Sequence, residues 1–141
     1  MSQPPSVVLD TNATLDWLVF RNPAAADVGA AIASGRLRWL ATAAMRREFD
    51  QVLGRPALAN WQPDTAAAAD AWARHAVLAD AEPPPGPLRC TDPDDQVFID
   101  LALEQRAAWL LTRDRALLAL AKQARPWGLA ILTPDTWSIH L

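Results

Sequence analysis

The chain has 141 residues, 51 % of them hydrophobic, and a net charge of −3. That content suits one domain with a real core and excludes a disordered chain. The acidic balance argues against nucleic-acid binding through bulk positive charge, while leaving room for a local basic surface.

Ser6–Leu9 is a short apolar, β-branched run ending at Asp10 and reads as a buried strand. Asn12 or Thr11 then caps a helix through Leu15, Leu18 and Val19, broken by Asn22-Pro23. Ala24–Ser34 reads as an Ala-rich helix stopped by Gly35, and Leu37–Ala41 as a second strand. Thr42 caps a helix through Met45, Phe49, Val52 and Leu53, ended by Gly54 and Pro56. Pro63-Asp64 opens another Ala-rich helix, running to near Leu78. Ala81–Leu88 holds four prolines and a glycine and reads as a loop. Asp94 or a neighbour starts a helix through Val97, Leu101 and Ala102 to near Arg106. Ala108–Leu111 is a third strand, Arg115–Lys122 a short helix and Leu129–Leu132 a fourth strand closed by Pro134. Strands alternating with helices predict an α/β layered fold with a mainly parallel sheet.

Ligands of such sheets sit beyond the C-terminal ends of the strands, where the strand order reverses. Asp10 directly follows the first strand, and Asp114 follows the strand at Ala108–Leu111. Glu48 lies two turns into the helix after the second strand, and Asp95 in the first turn of the helix before the third. Four carboxylates are thus expected at one edge, where their mutual repulsion is relieved by a divalent cation. A hydrated metal there can hold phosphate, activate water and stabilise a leaving oxygen. Each acid also has a plainer reading. Asp10-Thr11-Asn12 can be a capped strand-to-helix turn, Glu48 a solvated helix residue, Asp92-Pro93-Asp94-Asp95 a helix start and Asp114 an N-cap.

The segments Val7–Asn12, Arg47–Leu53, Asp92–Ala102, Leu110–Asp114 and Ile131–Pro134 together resemble the PIN-domain ribonucleases. The likeness is closest to the VapC-like nuclease toxins of bacterial toxin–antitoxin pairs. It implies a single PIN-like nuclease domain over residues 1–141, built as an α/β/α sandwich around a mainly parallel sheet. It also implies Mg²⁺ or Mn²⁺ held by carboxylates, and hydrolysis of RNA phosphodiester bonds by a water that the metal activates. Carried over residue by residue, Asp10, Glu48, Asp95 and Asp114 match the family's four acids as catalytic groups and metal ligands. Asp95 is chosen over Asp94 because Phe98 and Ala102 then keep helical register. Thr11, Asn12 and Thr112 match groups that orient the acids. A co-expressed antitoxin, a homodimer and a cytoplasmic location complete the expectation. The other readings are a catalytically silent PIN-like module that binds RNA or protein, and another α/β metal hydrolase acting on small phosphorylated molecules, such as the haloacid dehalogenase type. Intact acids at all four positions count against the first. Thr11-Asn12 after Asp10, where a second Asp is needed two residues on, counts against the second.

Of the 13 basic residues only Lys122 is lysine. Arg46, Arg47, Arg113 and Arg115 adjoin the acids, and Arg47, Arg113 and Arg115 are the expected phosphate contacts. Asp16 departs from the aliphatic run usual after the family's first acid and is expected to face solvent. Of seven tryptophans, Trp17, Trp39 and Trp109 fall in core elements. Trp61, Trp72, Trp127 and Trp137 are candidates for a partner interface ahead of base stacking. His75 and His140 lack ligand spacing, and surface or packing roles are expected. The lone Cys90 excludes an internal disulfide and sits in no nucleophile motif. No glycine-rich phosphate loop is present, and Met1-Ser2-Gln3-Pro4-Pro5 lacks a signal peptide's basic start and apolar stretch.

Overall fold

The computed structural model describes residues 3–137. Met1, Ser2 and His140, read above from sequence, lie outside the described residues. Five strands form one sheet: β1 (Ser6–Leu9), β2 (Arg38–Ala41), β3 (Ala76–Leu78), β4 (Trp109–Leu111) and β5 (Ala130–Leu132). All are parallel, in the order β3-β2-β1-β4-β5. The α-helices are α1 (Thr11–Leu18), α2 (Ala26–Ala33), α3 (Ala43–Leu53), α4 (Thr65–His75), α5 (Gln96–Glu104), α6 (Arg115–Leu118) and α7 (Ala121–Ala124).

The strand order explains the layers. From β1 the chain steps to β2 and β3 in one direction, then jumps back past β1 to β4 and β5. Parallel crossovers are right-handed, so reversing direction moves the connecting helices to the other face. Helices α1–α4 therefore cover one face and α5–α7 the other, giving the expected α/β/α sandwich. Helix α5 packs accordingly on β1 and β4, and α7 on β5. Coverage on both faces explains why Val7, Val8, Leu110 and Leu111 are all fully buried. The reversal of order lies between β1 and β4, whose Val8 and Leu110 stand in register. The crevice beyond their C-terminal ends is the position where such sheets bind ligands.

Boundaries follow local chemistry. Thr42 caps α3 as expected, accepting from the Met45 N–H at 3.1 Å. Asp64 caps α4 in the same way through Ala67. Three expectations are corrected. The helix from Pro63-Asp64 does not reach Leu78: it ends at His75, and Ala76–Leu78 pairs with β2 as a fifth, edge strand. Its three residues are too short to register as a periodic pattern. The helix of Ala24–Ser34 begins two residues later, at Ala26, after a 3₁₀ turn over Pro23–Ala25 capped by Asn22. The segment Arg115–Lys122 divides into α6 and α7.

The aromatic residues sort differently from their sequence reading. Trp39 is fully buried and Trp109 is buried, and the half-buried Trp17 packs edge-on against Trp39 with ring centroids 5.3 Å apart. Trp72 and Trp137 are also core residues and not interface candidates. Trp72 lies 4.5 Å from Trp39, and Trp137 5.5 Å from Trp109. Only Trp61 and Trp127 of that group are exposed. His75 packs near Trp17 at the end of α4.

Candidate active site

Three turns bring acids to the β1–β4 crevice, and each acid caps the helix that follows it. Asp10 leaves β1 in extended conformation, and its Oδ1 accepts from the Ala13 N–H at 2.8 Å. Asp10 itself is therefore the N-cap of α1, in place of the expected Thr11 or Asn12. Asp92 caps a 3₁₀ turn over Pro93–Asp95, accepting from the Asp94 N–H at 3.0 Å, and that turn leads directly into α5. Asp114 caps α6, its Oδ1 accepting from Ala116 at 2.7 Å and Leu117 at 3.4 Å. The capping readings and the site readings are thus the same geometry. One carboxylate oxygen satisfies helix N–H groups. Among the described residues the Oδ2 atoms of Asp92 and Asp114 accept from no N–H or hydroxyl group.

Carboxylate oxygens of Asp92, Asp95 and Asp114 all lie within 4.8 Å of one another. Asp10 is buried beside them, and its Oδ2 accepts from Thr112 Oγ1 at 2.5 Å. Thr112 is fully buried, and the same Oγ1 accepts from the Asp114 N–H at 2.9 Å, so one hydroxyl joins the β1 and β4 ends. Burial pushes the Asp10 carboxyl up to about 6, with Asp114 adding to the rise, while Thr112, the Ala13 N–H and Arg113 oppose it. Burial pushes Asp95 up to about 7, and Asp114, Asp92 and Asp10 all raise it further. Asp10 and Asp95, whose ionisation burial and neighbouring carboxylates disfavour, stand with Asp92 and Asp114 as a source of hard oxygens suited to a divalent cation.

The structure brings Asp95 and Asp114 of the expected set together with Asp92, while Asp10 stands outside the 4.8 Å group and is joined to Asp114 through Thr112. The signal for Asp92 was its place before Pro93, which sequence reading assigned to helix initiation alone. Asp95 is half-buried where Asp94 is exposed, and Phe98 and Ala102 are buried on α5, as the register required. Glu48 is half-buried on α3 and outside the 4.8 Å group. Thr11 and Asn12 occupy the first turn of α1, and among the described residues their side chains make no hydrogen bond to the acids. The buried Thr14 instead anchors this turn, donating to the Asp10 carbonyl at 2.9 Å.

Asp16 does not face solvent. Its side chain is 3 % exposed and pairs with Arg113, Nε to Oδ2 at 2.9 Å and Nη2 to Oδ1 at 3.0 Å. The acid inserted after the first motif is thus tied to the residue between Thr112 and Asp114. Arg47 and Arg115 are exposed, and Arg46 pairs with Asp50 on α3.

The loop carrying Asp92 is held from below by α5. Gln96 Nε2 donates to the Leu88 carbonyl at 2.8 Å and to Asp100 Oδ1 at 2.9 Å, and Gln96 Oε1 accepts from the Cys90 N–H at 2.8 Å. Asp100 Oδ1 also accepts from the Gly86 N–H at 3.0 Å. This network converts a proline-rich loop into a fixed approach to Asp92. Cys90 is buried within it, and burial pushes its thiol up, which suits an inert side chain.

No curated protein matches the chain. The family model described as PIN domain matches residues 6–116, a span from β1 through the start of α6 that includes every acid discussed here. PIN domains are generally metal-dependent nucleases, and the acidic group at the β1–β4 crevice is consistent with that chemistry. With the model covering well over half of its length, and its all-parallel five-stranded sheet in the fitting order, this chain belongs to the PIN-domain family.

Proposed function

We propose that the chain is a metal-dependent endoribonuclease that hydrolyses RNA phosphodiester bonds as a single domain over residues 1–141. The observation carrying this reading is the convergence of the helix-capping Asp92 and Asp114 with Asp95, next to the buried Asp10, at the point where strand order reverses. Asp10, Asp92, Asp95 and Asp114 are the residues that would hold Mg²⁺ or Mn²⁺. Their donor set fits, being all carboxylate oxygens, and Asp92 Oδ2 and Asp114 Oδ2 accept from no N–H or hydroxyl among the described residues. When bound, the cation supplies charge to polarise the phosphate and to lower the pKa of a water. Thr112 fixes the orientation of Asp10 and of the Asp114 backbone, so the acids do not need to rearrange. Glu48, on the helix after β2, is assigned to accept a proton from the attacking water at its carboxylate. Thr11 and Asn12, in the first turn of α1, are assigned to orient acids once a cation is present. Arg47, Arg113 and Arg115 contact backbone phosphates from around the crevice.

The finer reading is the toxin of a toxin–antitoxin pair, supported by the VapC-like motif order. An antitoxin would cover the acidic edge, the toxin would be a homodimer, and the pair would act in the cytoplasm. Among the described residues no helix is long and apolar enough to cross a membrane.

The test is cleavage of a structured RNA pool by the purified chain with Mn²⁺, Mg²⁺ or EDTA, beside Asp10→Asn and Asp95→Asn. Cutting is expected with metal only. Each variant is expected to lose more than the roughly 10–100-fold that follows removal of a group merely supporting a ligand. No cutting by folded wild-type chain would favour the silent RNA- or protein-binding module, and cutting unchanged in both variants would place the site elsewhere.

A further inference from the structure

Asp16 has no place in the acid cluster, yet it is the more deeply buried partner of a two-point ion pair. An acid on the buried face of α1 costs stability unless it is paired, and an apolar residue would fill that face at no such cost. The chain keeps the acid, and what the acid holds is Arg113. The pairing uses the guanidinium side-on: Nε meets Oδ2 and Nη2 meets Oδ1. Nη1 and the second N–H of Nη2 are left without a protein partner among the described residues, and the Arg113 side chain is 53 % exposed. Those N–H groups form the second edge of a planar fork, the edge that matches two oxygens of a phosphate. Thr112 on one side of Arg113 binds Asp10, and Asp114 on the other is in the acid group, so the fork stands at the rim of the crevice. Its field reaches the site, because Arg113 opposes the rise in the Asp10 pKa.

We propose that Asp16 is a positioning residue that fixes Arg113, so that the unused edge of its guanidinium receives a phosphate of the bound RNA strand. This rests on the nuclease reading and names one substrate contact within it. The cluster of acids repels a polyanion, and a cation held rigidly at its rim offsets that repulsion without losing side-chain freedom on binding. A freely rotating arginine would carry the same charge with less affinity.

The test is binding of a fluorescent single-stranded oligoribonucleotide, followed by anisotropy across a KCl series with Ca²⁺ in place of Mn²⁺. Melting temperatures establish folding of each variant. The Asp16→Asn/Arg113→Ala double variant avoids leaving a buried charge unpaired. Relative to wild type it is expected to bind roughly tenfold more weakly, with the slope of log Kd against log salt shallower by about 0.7, the loss of one phosphate contact. Asp16→Asn alone is expected to weaken binding by roughly threefold with the slope kept, because the charge remains and only its placement is lost. In an Arg113→Lys background, which keeps a cation but has no second fork edge, Asp16→Asn is expected to change Kd by less than about twofold. A merely structural Asp16 would lower the melting temperature in both backgrounds and shift Kd equally in both, which overturns the inference. So does a double variant that keeps the wild-type Kd and slope. A wild-type chain that neither binds nor cuts the strand overturns the nuclease reading and the inference together. A wild-type chain that does both, with either contrary result above, overturns the inference alone.

Discussion

Thr112 shows how one hydroxyl can organise a site. Its Oγ1 donates to Asp10 and accepts from the backbone of Asp114 while fully buried. Thr112→Val keeps the shape and removes both bonds, leaving a buried acceptor and a backbone N–H unpaired. The expected loss is about 1–3 kcal/mol, read by urea denaturation, together with weaker divalent-ion binding by calorimetry. A variant as stable as wild type would mean that water replaces the hydroxyl. The same scale marks a limit of sequence reading. Thr112 was singled out as an orienting group only through the resemblance to the PIN-domain ribonucleases. Asp92 and Asp16 were not, because an acid before proline and an acid in a helix each have an ordinary local explanation.

At the scale of elements, the contact between α1 and α2 decides the sign of a substitution that propensity alone would reverse. Gly29 lies inside α2, where alanine is normally favoured by about 1 kcal/mol. A Cβ built there would come within 2.3 Å of Trp17 Nε1 and 2.5 Å of Trp17 Cδ1. Trp17 is itself packed against Trp39, so the indole has little room to give. Gly29→Ala is therefore expected to destabilise by about 1–3 kcal/mol, measured as a lower melting temperature. An unchanged or raised melting temperature would show that Trp17 is free to move. Helix α2 was legible from its alanines, but the demand for glycine within it comes from a side chain on another helix. Strand β3 was missed for a related reason: three residues, Ala76–Leu78, become a strand only because β2 offers an edge to pair with.

At the scale of the whole molecule, the cluster ties stability to pH and metal. The Asp10 and Asp95 carboxyls are raised from 3.8 to about 6 and about 7. Between 3.8 and those values the native state holds protons that the unfolded chain has released, so stability falls as pH rises through that window. Asp10, at 3 % exposure, contributes up to about 3 kcal/mol of this fall. In EDTA the melting temperature of wild type relative to Asp10→Asn is expected to drop between pH 4.5 and 7.5, within roughly the span set by linkage. With Mn²⁺ the drop should shrink or reverse, because the ionised acids bind the cation and only the native state assembles them. A difference that rises with pH in EDTA would contradict the burial of the Asp10 carboxyl.

The sequence by itself determined the α/β class, the position of Asp10 and Asp114 at strand ends, the cap at Thr42 and the helix start at Pro63-Asp64. These follow from local rules: an apolar run marks a covered strand, and a short polar side chain satisfies free helix N–H groups. Only the tertiary structure decided that Asp92 joins Asp95 and Asp114, that Asp10 and Glu48 stand outside that 4.8 Å group, that Asp16 is buried against Arg113 and that Trp72 and Trp137 are core. Each of these depends on which strands are neighbours. The β3-β2-β1-β4-β5 order puts β4 beside β1 although a hundred residues separate them in sequence, as Leu9 and Leu111 in register show. No spacing within the chain encodes that distance, because it is set by how the whole sheet buries its two faces.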